Sequence, residues 1–295
     1  MVDHIDTLKQ VNKSGFPFQL RVQEEIERTV RQHHWLIAGR EHAWSHPRTG
    51  ATGFIDLVLS HSQYVTFRLV IECKRMKAND ARQLRWIFLV PDQELKPTSR
   101  TTCLEVETWT DKSKDVPVWS DIRLWDDVSL APESLQSEFC ILPNDEQRRQ
   151  SILESLAVEL LDSVEGLAQE EVNVAGSQSP PDNVRLFTFP AIVTNAEIAV
   201  CHFNPSVVNI QDGTLKESDV ELSTVPFIRF RKSLSTAFPE GRFYDLKAAN
   251  RARARTVFVV NAASLPEFLT NWEISPFGGK YGYATQLYIN RLGRE

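Results

Sequence analysis

The runs FIDLVL (residues 54–59) and YVTFRLVIEC (residues 64–73) decide how this chain folds. Both are rich in β-branched and aromatic residues, which favour strands, and only the short HSQ (residues 61–63) and its neighbours separate them. The turn-rich SHPRTGATG precedes the first run, so Trp35–Trp44 and Phe54–Leu59 predict a hairpin. Three consecutive strands are therefore expected in the N-terminal part of the chain.

Helices are expected on both sides of these strands. Residues 15–33 predict a helix, because Phe18, Val22, Ile26 and Val30 recur at every fourth position and Pro17 suits a first turn. A longer helix is predicted for Asn144–Glu171 by the apolar side of Ile152, Leu156, Leu160 and Leu167. Further strands are predicted at Trp86–Val90, Leu186–Val193 and Glu197–Phe203, and a short helix at Leu265–Trp272.

The element order is helix, three strands, helix, strand, which predicts an α/β fold with a mixed central sheet flanked by helices. We interpret residues 1–295 as a single domain with its core in 15–90 and 144–205. Residues from about 91 to 143 are expected to form an insertion, and residues from about 206 to 295 a C-terminal extension.

The composition predicts a cytoplasmic protein without zinc. The four cysteines are scattered, with no CxxC pair, and the N-terminus lacks the apolar core of a signal peptide. No stretch approaches the length and hydrophobicity of a membrane span. Net charge is −6, which gives no general support for nucleic-acid binding.

Charge is unevenly distributed along the chain. Residues 101–174 hold 17 acidic and 5 basic side chains, whereas residues 229–255 hold 8 basic and 2 acidic ones. The second segment could bind a polyanion. Arg251, Arg253 and Arg255 are the residues expected to contact phosphates there, and a solvated basic surface is the alternative.

The side chains best suited to catalysis are those of Asp56, Glu72 and Lys74. Asp56 interrupts an otherwise apolar strand, where an ionised carboxylate is costly unless a partner compensates it. Glu72 and Lys74 are two residues apart and so project from one side of the next strand. If the two strands pair, the carboxylates of Asp56 and Glu72 can approach each other and share a cation.

The sequence context separates this motif from chance. An acid, any residue and a lysine also occur at Glu94–Lys96, before a turn-forming proline, and at Asp245–Lys247, before a helix-like run. Only Glu72–Lys74 ends a strong strand with an acid in the preceding strand. Two carboxylates, a backbone carbonyl such as that of Cys73, and waters are ligands that Mg²⁺ favours, and Mn²⁺ can replace it.

These residues resemble the PD-(D/E)XK (restriction-endonuclease-like) superfamily of nucleases, through GFPFQLRV, HPRTGATGFIDLVL and LVIECKR. The resemblance implies that Asp56, Glu72 and Lys74 are catalytic, with the first two holding the metal. Many relatives carry a further acid on the first helix, where this chain has Gln19. Glu25 is then a candidate substitute, and Gln83 is a second candidate to face the site.

The resemblance implies a metal-dependent nuclease that acts on DNA more than on RNA, in restriction, repair or defence. A homodimer or a partner subunit stays open. One alternative is an inactive scaffold of the same fold that binds nucleic acid or serves as an assembly subunit. Another is an unrelated α/β protein in which Glu72 and Lys74 form a surface ion pair of little energetic value.

Overall fold

The computed structural model describes residues 4–46, 48–61, 67–76, 85–92, 95–111, 116–142, 151–177, 184–234 and 245–272. The helices are α1 (His4–Ser14), α2 (Phe16–His33), α3 (Ile152–Ser177), α4 (Leu246–Arg253) and α5 (Leu265–Thr270). The first strands are β1 (Trp35–Ser45), β2 (Thr52–His61), β3 (Phe67–Lys74), β4 (Arg85–Pro91), β5 (Thr98–Asp111) and β6 (Val116–Ser134). The remaining strands are β7 (Gln136–Ser137), β8 (Phe139–Ile141), β9 (Val184–Thr194), β10 (Glu197–Phe203), β11 (Glu221–Thr224), β12 (Phe227–Ser233) and β13 (Ala254–Asn261).

The predicted helix at 15–33 is α2, and its ends have clear causes. Gly15 precedes it with φ 90°, a left-handed conformation that glycine adopts without steric penalty. At the other end His34 is also left-handed, and its amide donates to the carbonyl of Val30. Between these ends Val22 and Ile26 are buried, as their spacing predicts, and together with α5 they cover one face of the main sheet.

The main sheet is mixed, as predicted, and has nine strands in the described residues. Its order is β1-β2-β3-β9-β13-β12-β7, and β5 pairs with β9 and with β6. β1, β2 and β3 form an antiparallel meander, whereas β3 and β13 both run parallel to β9. The four strands β1-β2-β3-β9 therefore lie side by side, although more than a hundred residues separate β3 from β9.

A second sheet, β11-β10-β4-β8, lies on the other face of the main sheet. Trp86 and Phe88 of β4 share a buried cluster with Leu153 and Leu160 of α3 and with Val70 of β3. Burying each such side chain contributes about 1.5–3 kcal/mol. The region expected to be an insertion is thus divided: β5 extends the main sheet, while β8 pairs in the second one. The expected C-terminal extension likewise supplies β12 and β13 of the main sheet.

The long helix is shifted from its predicted bounds. It begins at Ile152, and residues 143–150, where we expected its start, lie outside the described residues. Leu160 is buried, whereas Ile152 and Leu156 are half-buried beside the core. Gly166 permits a close approach to β1, because an added Cβ would lie 3.0 Å from the carbonyl oxygen of Ser45. None of the described helices could span a membrane.

Candidate active site

The antiparallel ladder between β2 and β3 ends beside Asp56. Its last paired positions are Leu57 and Ile71, and one step further in the same register Asp56 stands across from Glu72. On its other side β3 stays paired with β9 through Lys74. Asp56 and Glu72 therefore lie on neighbouring strands at the point where one ladder stops and the other continues.

Beyond the last paired position of β2 and β3, the Asp56 side chain bonds to the main chain of β3. Its Oδ2 accepts a hydrogen bond from the main-chain amide of Cys73 at 2.7 Å. This contact holds the carboxylate against the chain segment that joins Glu72 to Lys74. The Cys73 side chain packs on the α2-side core, and the role of its carbonyl as a metal ligand stays a prediction.

The first strand changes face at Glu41, directly opposite Asp56. Arg40 bonds to Glu27 of α2, whereas His42, two residues later, bonds to Glu170 of α3 at 2.7 Å. Regular alternation would put both side chains on one face. Glu41 lies between them with φ 46°, a left-handed conformation that costs a residue other than glycine about 1–3 kcal/mol.

The second strand changes face at the same level. Leu57 belongs to the core on the α2 side, whereas Ile55 belongs to the core on the α3 side. Asp56 lies between these two residues and points along the plane of the sheet toward Cys73. The carboxylate thus sits at the boundary between the two layers, where it is only half-buried.

Both carboxyl groups of the motif hold their protons more strongly than usual. Burial raises the pKa of Asp56 from 3.8 to about 6. The hydrogen bond from the Cys73 amide and the charge of Lys74 oppose this rise, whereas the charge of Glu41 adds to it. Burial also raises the pKa of Glu72 from 4.5 to about 7, with a contribution from Asp56 and opposition from Lys74. The lysine is therefore close to both carboxylates, and its charge compensates them only in part.

Gln19 and Glu41 complete the site and were not predicted as functional. The buried Gln19 amide donates to the Glu41 carboxylate and lies 3.4 Å from the carbonyl oxygen of Asp56. Gln19 occupies the first-helix position where many proteins of the superfamily that the motif resembles carry an acid, so its location could have been inferred from that resemblance. For Glu41 the sequence holds no signal, because alternation predicts an ordinary exposed strand residue.

Glu25 differs from the expectation. Its carboxylate bonds to Arg21 at 2.7 Å and to Arg28, and the bond to Arg28 is the main reason that its pKa is lowered. Both partners lie on α2 at helical spacing, so Glu25 belongs to a surface ion-pair network rather than to the site. Gln83 lies outside the described residues.

Asn195 holds the chain just beyond the motif. Its Oδ1 accepts from the amide of Met76 at 2.6 Å, and its Nδ2 donates to the Met76 carbonyl at 3.2 Å. The side chain therefore prolongs the pairing of β3 with β9 past Lys74. On the other side Arg75 donates to the carbonyl of Asn12 at the end of α1.

A cleft of about 330 Å³ lies on the α3 side of the site. It is lined by Trp44, Ala51, Thr52, Ser155, Val158, Glu159 and Asp162. Glu159 also raises the pKa of Glu72, so the cleft adjoins Glu72. Burial raises the pKa of Asp162. His46 and Arg48 oppose this rise, so the acidic lining of the cleft is partly offset.

The basic segment at 229–255 does not form one exposed surface. Arg229 is fully buried, donates to carbonyls of Pro132 and Ser134, and lies over the Phe258 ring. Burial lowers its pKa to about 10. Lys232 bonds to Glu154 of α3.

Of the three arginines expected to contact phosphates, Arg255 has a clear structural role. Arg255 is half-buried and donates to the carbonyls of Ala252 and Ala254 at the end of α4, so its guanidinium caps a helix. Arg253 is half-buried as well, and the side chain of Arg251 lies outside the description. The alternation of Arg and Ala reflects a helix followed at once by strand β13.

Within the described residues, no three His, Cys, Asp or Glu side chains are arranged to hold a metal ion. Comparison of the chain with protein-family models, with curated proteins and with solved structures found no match in any of the three.

Proposed function

We propose that this chain is a divalent-metal-dependent nuclease that hydrolyses phosphodiester bonds, with DNA as its substrate. The observation that carries the proposal is the bond from the Cys73 amide to Asp56. It brings two half-buried carboxylates with raised pKa values beside one lysine at the end of a strand. Strongly perturbed carboxyl groups next to a charge partner are typical of functional sites.

The donor set fits a hard divalent cation. Mg²⁺ is commonly held by one or two carboxylates together with waters, so Asp56 and Glu72 suffice as protein ligands, and the Cys73 carbonyl is a third candidate. Burial is the main cause of their raised pKa values, so their ionised forms are costly here, and Lys74 compensates the negative charge only in part. A cation at this point would remove that imbalance.

The roles of the protein groups follow from their chemistry. A bound divalent cation would polarise the phosphate and acidify a water. Lys74 would orient the attacking water or stabilise the negative charge that develops on the phosphate. Gln19 would keep Glu41 and the main chain of Asp56 in position, and Asn195 would fix the segment after Lys74.

The fold gives further support. The order α2, β1-β2-β3, α3, β9, with β3 parallel to β9, is similar to the order expected for a PD-(D/E)XK core. β4 to β8 would then be an elaboration between the third strand and the second helix. Similarity of order bears on the fold, whereas the nuclease activity rests on the site itself.

A second candidate is an inactive scaffold of this fold that binds nucleic acid or serves as an assembly subunit. Gln19, in place of an acid on the first helix, favours it. The two candidates differ in whether the purified protein turns over substrate.

Incubation with supercoiled plasmid, linear DNA and RNA, in Mg²⁺, Mn²⁺ or EDTA, tests the proposal. We expect cleavage of DNA with metal and none in EDTA. Asp56→Asn, Glu72→Gln and Lys74→Met should each raise the barrier by at least about 2.7–4 kcal/mol, the effect of deleting one transition-state donor. Lys96→Met, in one of the two chance copies of the motif, is the matched control and should cut normally. Absence of cleavage by the wild-type protein would favour the inactive scaffold, and wild-type rates in the three site variants would contradict the assignment of the site.

A further inference from the structure

Two exposed phenylalanines flank the candidate site. In the described part of the chain, three phenylalanine side chains are more than half exposed: Phe16 at 59%, Phe54 at 65% and Phe139 at 54%. Phe139 is on β8 of the second sheet. The other two are close in sequence to residues of the site, which makes their exposure there informative.

Both phenylalanines lie on the α2 side of the main sheet. Phe54 is two residues before Asp56, and its neighbour Ile55 faces the α3 side, so alternation turns Phe54 to the other side. Phe16 is the first residue of α2, one helical turn before Gln19, and residues three apart share a helix surface. Gln19 in turn lies 3.4 Å from the carbonyl oxygen of Asp56.

The distribution of charge indicates from which side a polyanion would arrive. The α3 side carries Glu159 and Asp162 in the cleft next to Glu72. His46 and Arg48 on that side are already paired with Glu165, so this side is the less favourable one for phosphates. The opposite side presents the end of α1, with Lys13 in its last turn, joined to Arg75 directly after the catalytic lysine. A nucleic-acid strand that reaches the site is therefore expected to run past α1 and the start of α2.

We propose that Phe16 and Phe54 stack on unpaired bases, and that the site acts on single-stranded nucleic acid or on strands opened at an end. This inference rests on the proposed nuclease function and names its substrate form. Exposed aromatic rings near basic side chains such as Lys13 and Arg75 suit sequence-independent single-strand binding, because every base offers a π-face. In a duplex the bases are stacked on each other and are not free to meet these rings.

Binding measured without catalysis tests the inference. Fluorescence anisotropy in EDTA would compare a labelled oligothymidylate with a duplex, for the wild-type chain and for Phe16→Ala, Phe54→Ala and the double variant. Each single change should lower single-strand affinity about 5- to 150-fold, the effect of losing one stacked base, and leave duplex affinity unchanged. Phe16→Tyr and Phe54→Tyr, which keep a ring, should retain the affinity.

Phe139→Ala is the matched control, because it removes an equally exposed ring from the second sheet, and it should bind as the wild type does. Equal losses on both substrates, no loss on either, or no binding by the wild-type chain would overturn the inference. Thermal melts identify an alanine variant that has lost its fold. In that case the single-strand affinity of the corresponding tyrosine variant tests the inference. Because EDTA prevents cleavage, failure of the nuclease proposal would appear separately, as absent turnover in Mg²⁺.

Discussion

The side-chain nitrogen of Gln19 lies 3.4 Å from the carbonyl oxygen of Asp56 and also donates to the carboxylate of Glu41. A neutral amide thus occupies the place on the first helix where a carboxylate would face Glu41. The site thereby avoids one more buried negative charge, and Gln19 ties α2 to both strands of the hairpin.

Gln19→Glu should therefore make the protein more dependent on metal. In EDTA the new carboxylate would be buried beside Glu41 and near Asp56, so the melting temperature should fall. Mg²⁺ should raise that temperature more in the variant than in the wild type, because the cation compensates the added charge. Gln23→Glu, also buried on α2, is the control and should be destabilised without this recovery. Equal responses of both variants to Mg²⁺ would contradict the prediction.

Two substitutions of Asp56 should separate its structural role from its proposed catalytic role. Asp56→Asn keeps an oxygen that can accept from the Cys73 amide and removes a half-buried charge, so in EDTA it should be at least as stable as wild type. Asp56→Ala leaves that amide without its acceptor and should be less stable than Asp56→Asn by about 1–3 kcal/mol. Neither should cleave DNA. Denaturant melts in EDTA measure the difference, and equal stabilities would show that the bond contributes nothing.

The raised pKa of Glu72 predicts how stability depends on pH. Its pKa is about 7 in the folded protein against 4.5 ordinarily, so between these values the folded state binds the proton more strongly. In EDTA the contribution of Glu72 to the free energy of unfolding should fall as the pH rises from about 4.5 to about 7, and stay low above it. The difference between wild type and Glu72→Gln, melted at a series of pH values, isolates this contribution. The stability of wild type minus that of Glu72→Gln should fall with pH in this window, and a rise in that quantity would refute the prediction.

Asn195→Ala should impair cleavage through Lys74 without touching substrate. It removes the acceptor of the Met76 amide, which should cost about 1–3 kcal/mol in stability and loosen the chain after the lysine. We expect a lower single-turnover rate with little change in DNA affinity. Asn209→Ala removes a comparable acceptor, that of the Gln211 amide, in a loop that follows β10 and should affect stability alone. Full activity of Asn195→Ala would assign it to stability alone too.

The N-terminal meander could be predicted because its signals are local. β-Branched residues, alternation and the turn at residues 45–53 lie within one continuous stretch, and β1, β2 and β3 form where expected. α3 and β9 were also predictable from periodicity and composition. The long-range parts were not: β4 looked like one more strand, and only its pairing with β10, more than a hundred residues later, assigns it to a second sheet.

The motif residues were accessible from sequence, but their surroundings were not. An aspartate within an apolar strand is visible as a cost that needs compensation, and spacing alone puts Glu72 and Lys74 on one side. Glu41 joins the site through a left-handed backbone that no residue preference encodes. Arg229 and Arg255 looked like surface charge. The sequence does not show that their guanidinium groups donate to main-chain carbonyls of distant or neighbouring segments.

The contact between Met76 and Asn195 spans 119 residues of chain. A ribosome adds about 5–20 residues per second, so the motif is synthesised roughly 6–24 seconds before Asn195. During that interval the nascent chain already contains Asp56, Glu72 and Lys74, yet β3 has no parallel neighbour and Lys74 has no fixed position. Assembly of the site therefore cannot be complete before β9 has been made, and a product truncated before β9 would carry the motif without the strand that pairs with β3.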